Sequence, residues 1–265
     1  MAVELICDNF DLEQTAESGQ CFRWRKISEG EYLIPAFCRA LKVKQDGNRF
    51  SFSCDDKEWK EIWKDYLDFD RDYGKIGECI KRSGDRHLAE CFEKGCGIRV
   101  LSQDLWEMIV SFMISQNNNI PRIRGSIEKI CALAGKRIEG TDVYAFPGPS
   151  DLSPGAFDDA SLGLGYRAGY LKEMFEYTAE NPEWLEGLKK LSYEEARKLL
   201  ISKKGIGPKV ADCVCLFGLS HRDAFPVDTH IKQLLSKYYP GGFDTKPYEG
   251  FGGIIQQYLF YYEIK

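Results

Sequence analysis

Apolar residues recur at two different spacings along this 265-residue chain. In the first hundred residues they come in short, aromatic or β-branched runs. "CFRWRK" (21–26), "EYLIPAFC" (31–38), "ALKVKQ" (40–45) and "RFSFSC" (49–54) are separated by the turn-like "SEGE" and "QDGN". Such runs predict antiparallel strands. A polar helical stretch over 72–95 follows, and a boundary is expected near Gly97. Beyond it the spacing is that of helices. "SQDLWEMIVSFMISQ" opens with a candidate cap at Ser102, and "PRIRGSIEKICALAG" has Pro121 near its start and Gly135 at its end. Further helices are expected over 166–181, 182–191, 192–201 (with a capping box Ser192…Glu195), after Pro208, after Thr229, and around "IIQQYLFYYE". The expected fold class is α+β: an antiparallel sheet layer with helices over 1–97, then a helical domain over 98–265.

Composition narrows this picture by exclusion. With 43% hydrophobic and 29% charged residues the chain has the make-up of a globular protein. No apolar run approaches the roughly 18 residues of a membrane span, and the start carries no secretory signal pattern. The ten cysteines are scattered without a C-x-x-C pair. A reduced cytosolic protein without an iron–sulfur cluster is therefore expected. The net charge of −5 argues against coating nucleic acid by bulk electrostatics. Between Lys203 and Lys237, however, six Lys or Arg face three Asp, so the sign reverses locally.

The candidate chemistry lies in "KKGIGPKVADCVCLFGL" (203–219). Gly205 and Gly207 permit a tight connection between two helices, and Pro208 suits a first helical position. The free N–H groups of such a helix start bind anions, although a plain glycine-capped turn fits the same residues. Walker spacing is absent. Lys209 stands in the first turn, where the macrodipole disfavours a cation, and an unprotonated amine is a nucleophile. Cys213 and Phe217 follow on the same helical face. Asp228 is a good N-cap for the helix that begins at Thr229, with His230 in its first turn. Spacing alone favours an amphipathic helix with an exposed lysine over a core stripe.

"GIGPKVADCVCLFGL…AFPVDTHI", "ESGQCFRWRK" (17–26), "SFMISQNNNIPRI" (111–123) and "GLGYRAGYL" (163–171) occur in one order. Together they resemble the helix-hairpin-helix-Gly/Pro-Asp superfamily of DNA glycosylases, and within it the 8-oxoguanine DNA glycosylase branch, over nearly the whole chain. The resemblance implies a base-excision repair enzyme, both glycosylase and abasic-site lyase, acting on a flipped nucleotide. It implies that Lys209 attacks C1′ and that Asp228 stabilises the developing charge. It assigns the base pocket to Gly19 (through its backbone carbonyl), Gln256, Phe260, Cys213 and Phe217, with the last helix contributing to that pocket. Asn117 and Tyr166 would fill and wedge the gap, Arg122 and Arg167 would bond the orphaned cytosine, and His230 with the Gly205–Gly207 hairpin and Lys209 would meet phosphates. The hairpin carbonyls of Ile201, Lys203 and Ile206 would hold a structural cation; no catalytic metal or cofactor is implied. The expected partner is duplex DNA with 8-oxoguanine opposite cytosine, bound by a monomer at the nucleoid of a prokaryotic cytosol, with no membrane.

Three departures stand out. Lys203-Lys204 replace an expected Leu-Pro pair, which adds charge to the hairpin and puts the cation site in question. Phe217 stands where a methionine is common, and Ile254 where an aromatic is. A non-catalytic hairpin module, or a glycosylase for another damaged purine, is the competing expectation. The first would need neither Lys209 nor Asp228.

Overall fold

The computed structural model describes residues 2–265. Its elements run β1 (Val3–Ile6), α1 (Leu12–Glu17), β2 (Arg25–Ser28), β3 (Glu31–Ala36), β4 (Arg39–Asp46) and β5 (Arg49–Phe52). A continuous helical stretch follows, α2 (Asp56–Glu58), a wide π turn (Trp59–Trp63) and α3 (Lys64–Tyr66). The rest is helical: α4 (Tyr73–Ser83), α5 (Arg86–Gly95), α6 (Leu105–Ser115), α7 (Ile120–Ala134), α8 (Arg167–Glu180), α9 (Trp184–Leu188), α10 (Tyr193–Ile201), α11 (Pro208–Gly218), α12 (Thr229–Tyr238) and α13 (Gly252–Ile264). Among the described residues no helix is long and apolar enough to cross a membrane.

The five strands form one antiparallel sheet in the order β1-β5-β4-β3-β2. Its register follows side-chain alternation: Val43 pairs with Tyr32 on one side and Phe52 on the other, and all three are buried. Phe52 then lies 4.5 Å from the Trp59 ring, so the π turn serves to lay two tryptophans on the sheet. The first expected strand is displaced: pairing begins only at Arg25, because Cys21–Trp24 turn inward to the core. β1, α1 and the 56–66 stretch had no strong periodic signal.

The two hydrophobic cores divide elsewhere than at the expected boundary of 97. Most buried apolar residues up to Leu67 pack with the sheet, whereas Phe22, together with Tyr73, Ile76, Ile80, Leu88 and Phe92 of α4 and α5, joins the core of the later helices. The polar 72–95 stretch breaks at Gly84, whose φ of 74° ends α4, and Asp85 caps α5. Arg99 closes the seam, donating to Asp68 O and Arg71 O at 3.1 and 3.0 Å and stacking over Tyr73.

Most helix boundaries match the caps read from the chain. The Ser192–Glu195 capping box is complete. Asp104, not Ser102, caps α6, accepting the Glu107 N–H at 2.9 Å. Ser102 Oγ is instead bonded by the Arg222 guanidinium at 2.7 Å.

α13 is buried along most of its length and is pinned at its start. The Gly253 N–H donates to Arg222 O at 2.6 Å, and a Cβ at Gly253 would lie 2.4 Å from Leu216 Cδ1 and 2.7 Å from Ala224 O. A backbone carbonyl cannot swing aside as a side chain does. We therefore expect Gly253→Ala to destabilise the protein by about 2 kcal/mol or more, seen as a fall in Tm of roughly 5 °C in thermal unfolding; an unchanged Tm would contradict this packing.

Candidate active site

α11 is apolar on nearly every side, with Val210–Phe217 all buried. A helix of this kind belongs in the middle of a core, which fixes its rotation. Its single buried acid, Asp212, is satisfied on the side away from the pocket by Tyr193 Oη (2.8 Å) and Arg197 Nε (2.6 Å). The remaining face carries Lys209, Cys213 and Phe217 as one stripe. Lys209 Nζ lies 5.1 Å from the centroid of the Phe112 ring, which itself stacks on Phe217 at 5.5 Å. Phe112 escaped the sequence reading, since α6 is apolar all round and offers no distinguished face.

The structure brings Gly19, Lys209, Cys213, Phe217, Asp228, Gln256 and Phe260 together around one narrow pocket. Four separate segments supply them. Gly19 adopts φ +76° and is held by its neighbour Gln20. That side chain donates to Ser18 Oγ and Arg99 O and accepts the Leu101 N–H at 2.8 Å. Asp228 caps α12 as expected, accepting the Ile231 N–H at 2.9 Å through Oδ1. Oδ2 is not used by the cap.

The pocket is small. Its cavity volume is about 30 Å³, room for little more than one water. Phe260 lies across Gly19, with ring carbon Cε1 2.9 Å from where a Cβ on Gly19 would stand. A purine enters only when that ring moves. Gly19 meets two demands that a larger residue would fail, the positive φ and the close ring.

Burial pushes the Cys213 thiol up to about 11, against the opposing influence of nearby Lys209. Cys213 is therefore a neutral wall of the pocket at ordinary pH and not a second nucleophile.

Outside the pocket mouth lies an open cleft of about 700 Å³, lined by Asn117, Tyr166, Lys209, Asp228, His230 and Lys232 among others. Two helix starts open into it. Gly207 provides no side-chain cap for α11, which leaves the N–H groups of Lys209 and Val210 unpaired within the helix. α12 is capped by Asp228 at the Ile231 N–H, which leaves the N–H groups of Thr229 and His230 unpaired within the helix. Two positive helix ends in one cleft form an anion site that does not require surplus basic side chains. The hairpin is braced there by Gln116, whose Nε2 donates to Gly205 O at 2.8 Å and Met113 O at 3.0 Å. Gln116 was also missed; its role depends on a contact 89 residues away in the chain.

Other expected residues sit differently. Tyr166 is 58% exposed, and Asn117 is exposed at φ 47°. Arg122 is exposed on α7. Arg167 is buried, with Nε donating to Gln116 O at 2.7 Å and Nη2 to Asn117 O at 2.8 Å. It shapes the Asn117 loop in this state and is not paired with Arg122. The charge expected at the hairpin is also diverted: Lys203 Nζ lies 3.5 Å from the centre of the Tyr177 ring, and Lys204 pairs with Glu173. Of the three expected cation-holding carbonyls, that of Lys203 already accepts the Ile206 N–H at 3.1 Å.

Residues 3–109 match the family model for the 8-oxoguanine DNA glycosylase N-terminal domain. The chain is 30% identical over 263 residues to the N-glycosylase/DNA lyase OGG1 of Arabidopsis thaliana, covering 89% of this chain and 68% of that one. Among solved structures it is similar to MBOgg1 in complex with a low-affinity DNA ligand, with a TM-score of 0.91, 36% identity, and 99% and 95% of the two chains covered. It is also similar to the Clostridium acetobutylicum 8-oxoguanine glycosylase/lyase in complex with double-stranded DNA containing cytosine opposite 8-oxoguanine. There the TM-score is 0.88, the identity 34%, and the coverage 99% and 97%.

The protonation of Cys213 gives a direct check of the pocket. On the order of one thiol in a thousand is ionised at pH 8 when its pKa is about 11. Iodoacetamide at that pH should label exposed Cys38 and spare Cys213, read by peptide mass spectrometry. Equal labelling of the two would show an open, ionised Cys213.

Proposed function

The chain belongs to the 8-oxoguanine N-glycosylase/DNA lyase family, and from that premise we propose that it excises 8-oxoguanine from duplex DNA and then cleaves the abasic site. The observation that carries this is the meeting of Lys209, Asp228, Gly19, Gln256 and Phe260 at one pocket. That pocket lies at the floor of a cleft with two helix N-termini.

The strand lies along the cleft, its phosphates on the N–H groups at the starts of α11 and α12, with His230 alongside. The damaged nucleotide leaves the stack and displaces Phe260 from Gly19, after which the ring covers one face of the base. The Gly19 carbonyl accepts from N7–H, a donor that 8-oxoguanine has and guanine lacks. An unoxidised guanine would place a lone pair against that oxygen. Gln256 reads the Watson–Crick edge.

The Lys209 Nζ lone pair forms the bond to C1′ as the bond from C1′ to the base breaks; the base departs with the bonding electron pair and takes up the proton that Nζ sheds. The sugar carries partial positive charge during this exchange, and the unused Asp228 oxygen lies in the same pocket to stabilise it. Ring opening of the aminal gives an imine to Lys209. Loss of a C2′ proton then expels the 3′ phosphate by β-elimination.

Asn117 and Tyr166 occupy the vacated space, and Arg122 reaches the unpaired cytosine. Arg167 joins it by releasing the Gln116 and Asn117 carbonyls, so that the loop rearranges as DNA binds. The protein works as a monomer without a catalytic cofactor, and a cation on the hairpin carbonyls would act on structure alone.

With an 8-oxoguanine·cytosine duplex and borohydride, the wild type should form a covalent protein–DNA adduct. Lys209→Gln should form none while still retarding the duplex in a gel, and undiminished trapping by it would refute the lysine assignment. Single-turnover rates should be highest opposite cytosine, by about tenfold or more, if two arginine forks read that base. Equal rates opposite all four bases would remove Arg122 and Arg167 from that role.

A further inference from the structure

Two successive glutamines of α13 form a chain of amides at the inner end of the pocket. Gln256 Nε2 donates to Pro226 O at 3.0 Å, and Gln257 Nε2 donates to Gln256 Oε1 at 2.9 Å. Both residues are 3% exposed. The order settles which way each amide points. The Pro226 carbonyl can only accept, so Gln256 turns its amino group to it. The Gln256 oxygen must then meet a donor, which Gln257 supplies. One atom is left over. Gln257 Oε1 is buried without a hydrogen-bond partner, and Gln257 lines the same pocket as Lys209.

A buried amide oxygen without a donor is destabilising and is rare in folded proteins. An apolar residue would fill the position without that penalty. Among the side chains that line this pocket, the Gln257 oxygen is the buried acceptor left without a donor, so it is placed to take one that arrives with the ligand.

We propose that Gln257 is a specificity-determining residue whose Oε1 accepts a hydrogen bond from the exocyclic amino group at C2 of the flipped purine. This rests on the glycosylase reading given above and deepens it. A guanine-type edge presents two neighbouring donors, N1–H and the 2-amino group. The pocket presents two neighbouring acceptors: Gln256 Oε1, which has a second lone pair beyond the Gln257 bond, and Gln257 Oε1. An adenine-type edge offers a lone pair at N1 and no amino group at C2, so both acceptors go unmet. A hypoxanthine-type edge keeps N1–H but leaves Gln257 Oε1 as lonely as it is in the empty pocket.

The test compares single-turnover excision of 8-oxoguanine and 8-oxohypoxanthine, each opposite cytosine, by the wild type, Gln257→Leu and the more nearly isosteric Gln257→Met. The two bases differ only at the 2-amino group, so general damage to the pocket moves both rates together and leaves their ratio unchanged. The wild type should favour 8-oxoguanine by about tenfold, the worth of one buried hydrogen bond. Either variant should bring the ratio close to one, mainly by slowing 8-oxoguanine. A wild-type ratio near one, or a ratio that both variants preserve, would overturn the assignment. Failure of the wild type to excise either base would instead overturn the glycosylase reading, and this inference with it.

Discussion

The rotation of α11 about its own axis is the constraint on which the site depends. Eight successive residues, Val210–Phe217, are buried. Turning the helix would therefore bury Lys209 among apolar side chains or expose Phe217 and Cys213. Asp212 adds a polar lock on the opposite side, since its carboxylate holds Tyr193 and Arg197 of α10. Breaking that pair would leave a buried charge, which is strongly unfavourable. With the helix so held, the lysine at its start points into one space only, between Phe112, Cys213 and the entrance to α12. Reactive direction here is a consequence of core packing.

The other walls are fixed by equally local means. Gly19 is held by the Gln20 amide, which is bonded to the backbone at Arg99 and Leu101. α13 is held at Gly253, where only a hydrogen atom fits between Leu216 and the Ala224 carbonyl. Asp228 is placed by capping α12. The walls come from separate segments, and the Phe260 ring lies across the pocket at Gly19. The rigid walls set the geometry and the ring sets access, which suits a site that must stay closed to undamaged bases.

Much of this was legible in the chain wherever a signal was periodic or a cap was local. The strands from 31 to 52, the helices beyond 120, the Ser192–Glu195 box and the Asp228 cap all follow from spacing and short-range hydrogen bonding. Ser102 was misread as a cap because Asp104, two residues later, competes for the same task and is better placed. The two cores divide away from the domain boundary expected near Gly97, because α4 and α5 are polar overall, yet their narrow apolar faces join the helical core. Long-range partners leave no local trace. Nothing near Arg167 announces that its guanidinium is spent on Gln116 and Asn117, or near Lys203 that its amine faces Tyr177 and Trp184. Nothing in the apolar run of α13 distinguishes Gln257, whose buried oxygen lacks a donor. The stripe of Lys209, Cys213 and Phe217 could be drawn from helical spacing. That the stripe faces Asp228 across a pocket could not, and the resemblance to a known family supplied it.

The central claim is that one amine, Lys209 Nζ, is the atom aimed at the sugar. The most direct measurement is to reduce the covalent intermediate with borohydride, digest protein and DNA, and sequence the sugar-bearing peptide by tandem mass spectrometry. The account predicts a reduced sugar remnant on Lys209 alone, in the peptide that runs from the hairpin into α11. The same remnant on Lys232, on the N-terminal amine, or spread over several lysines would contradict it.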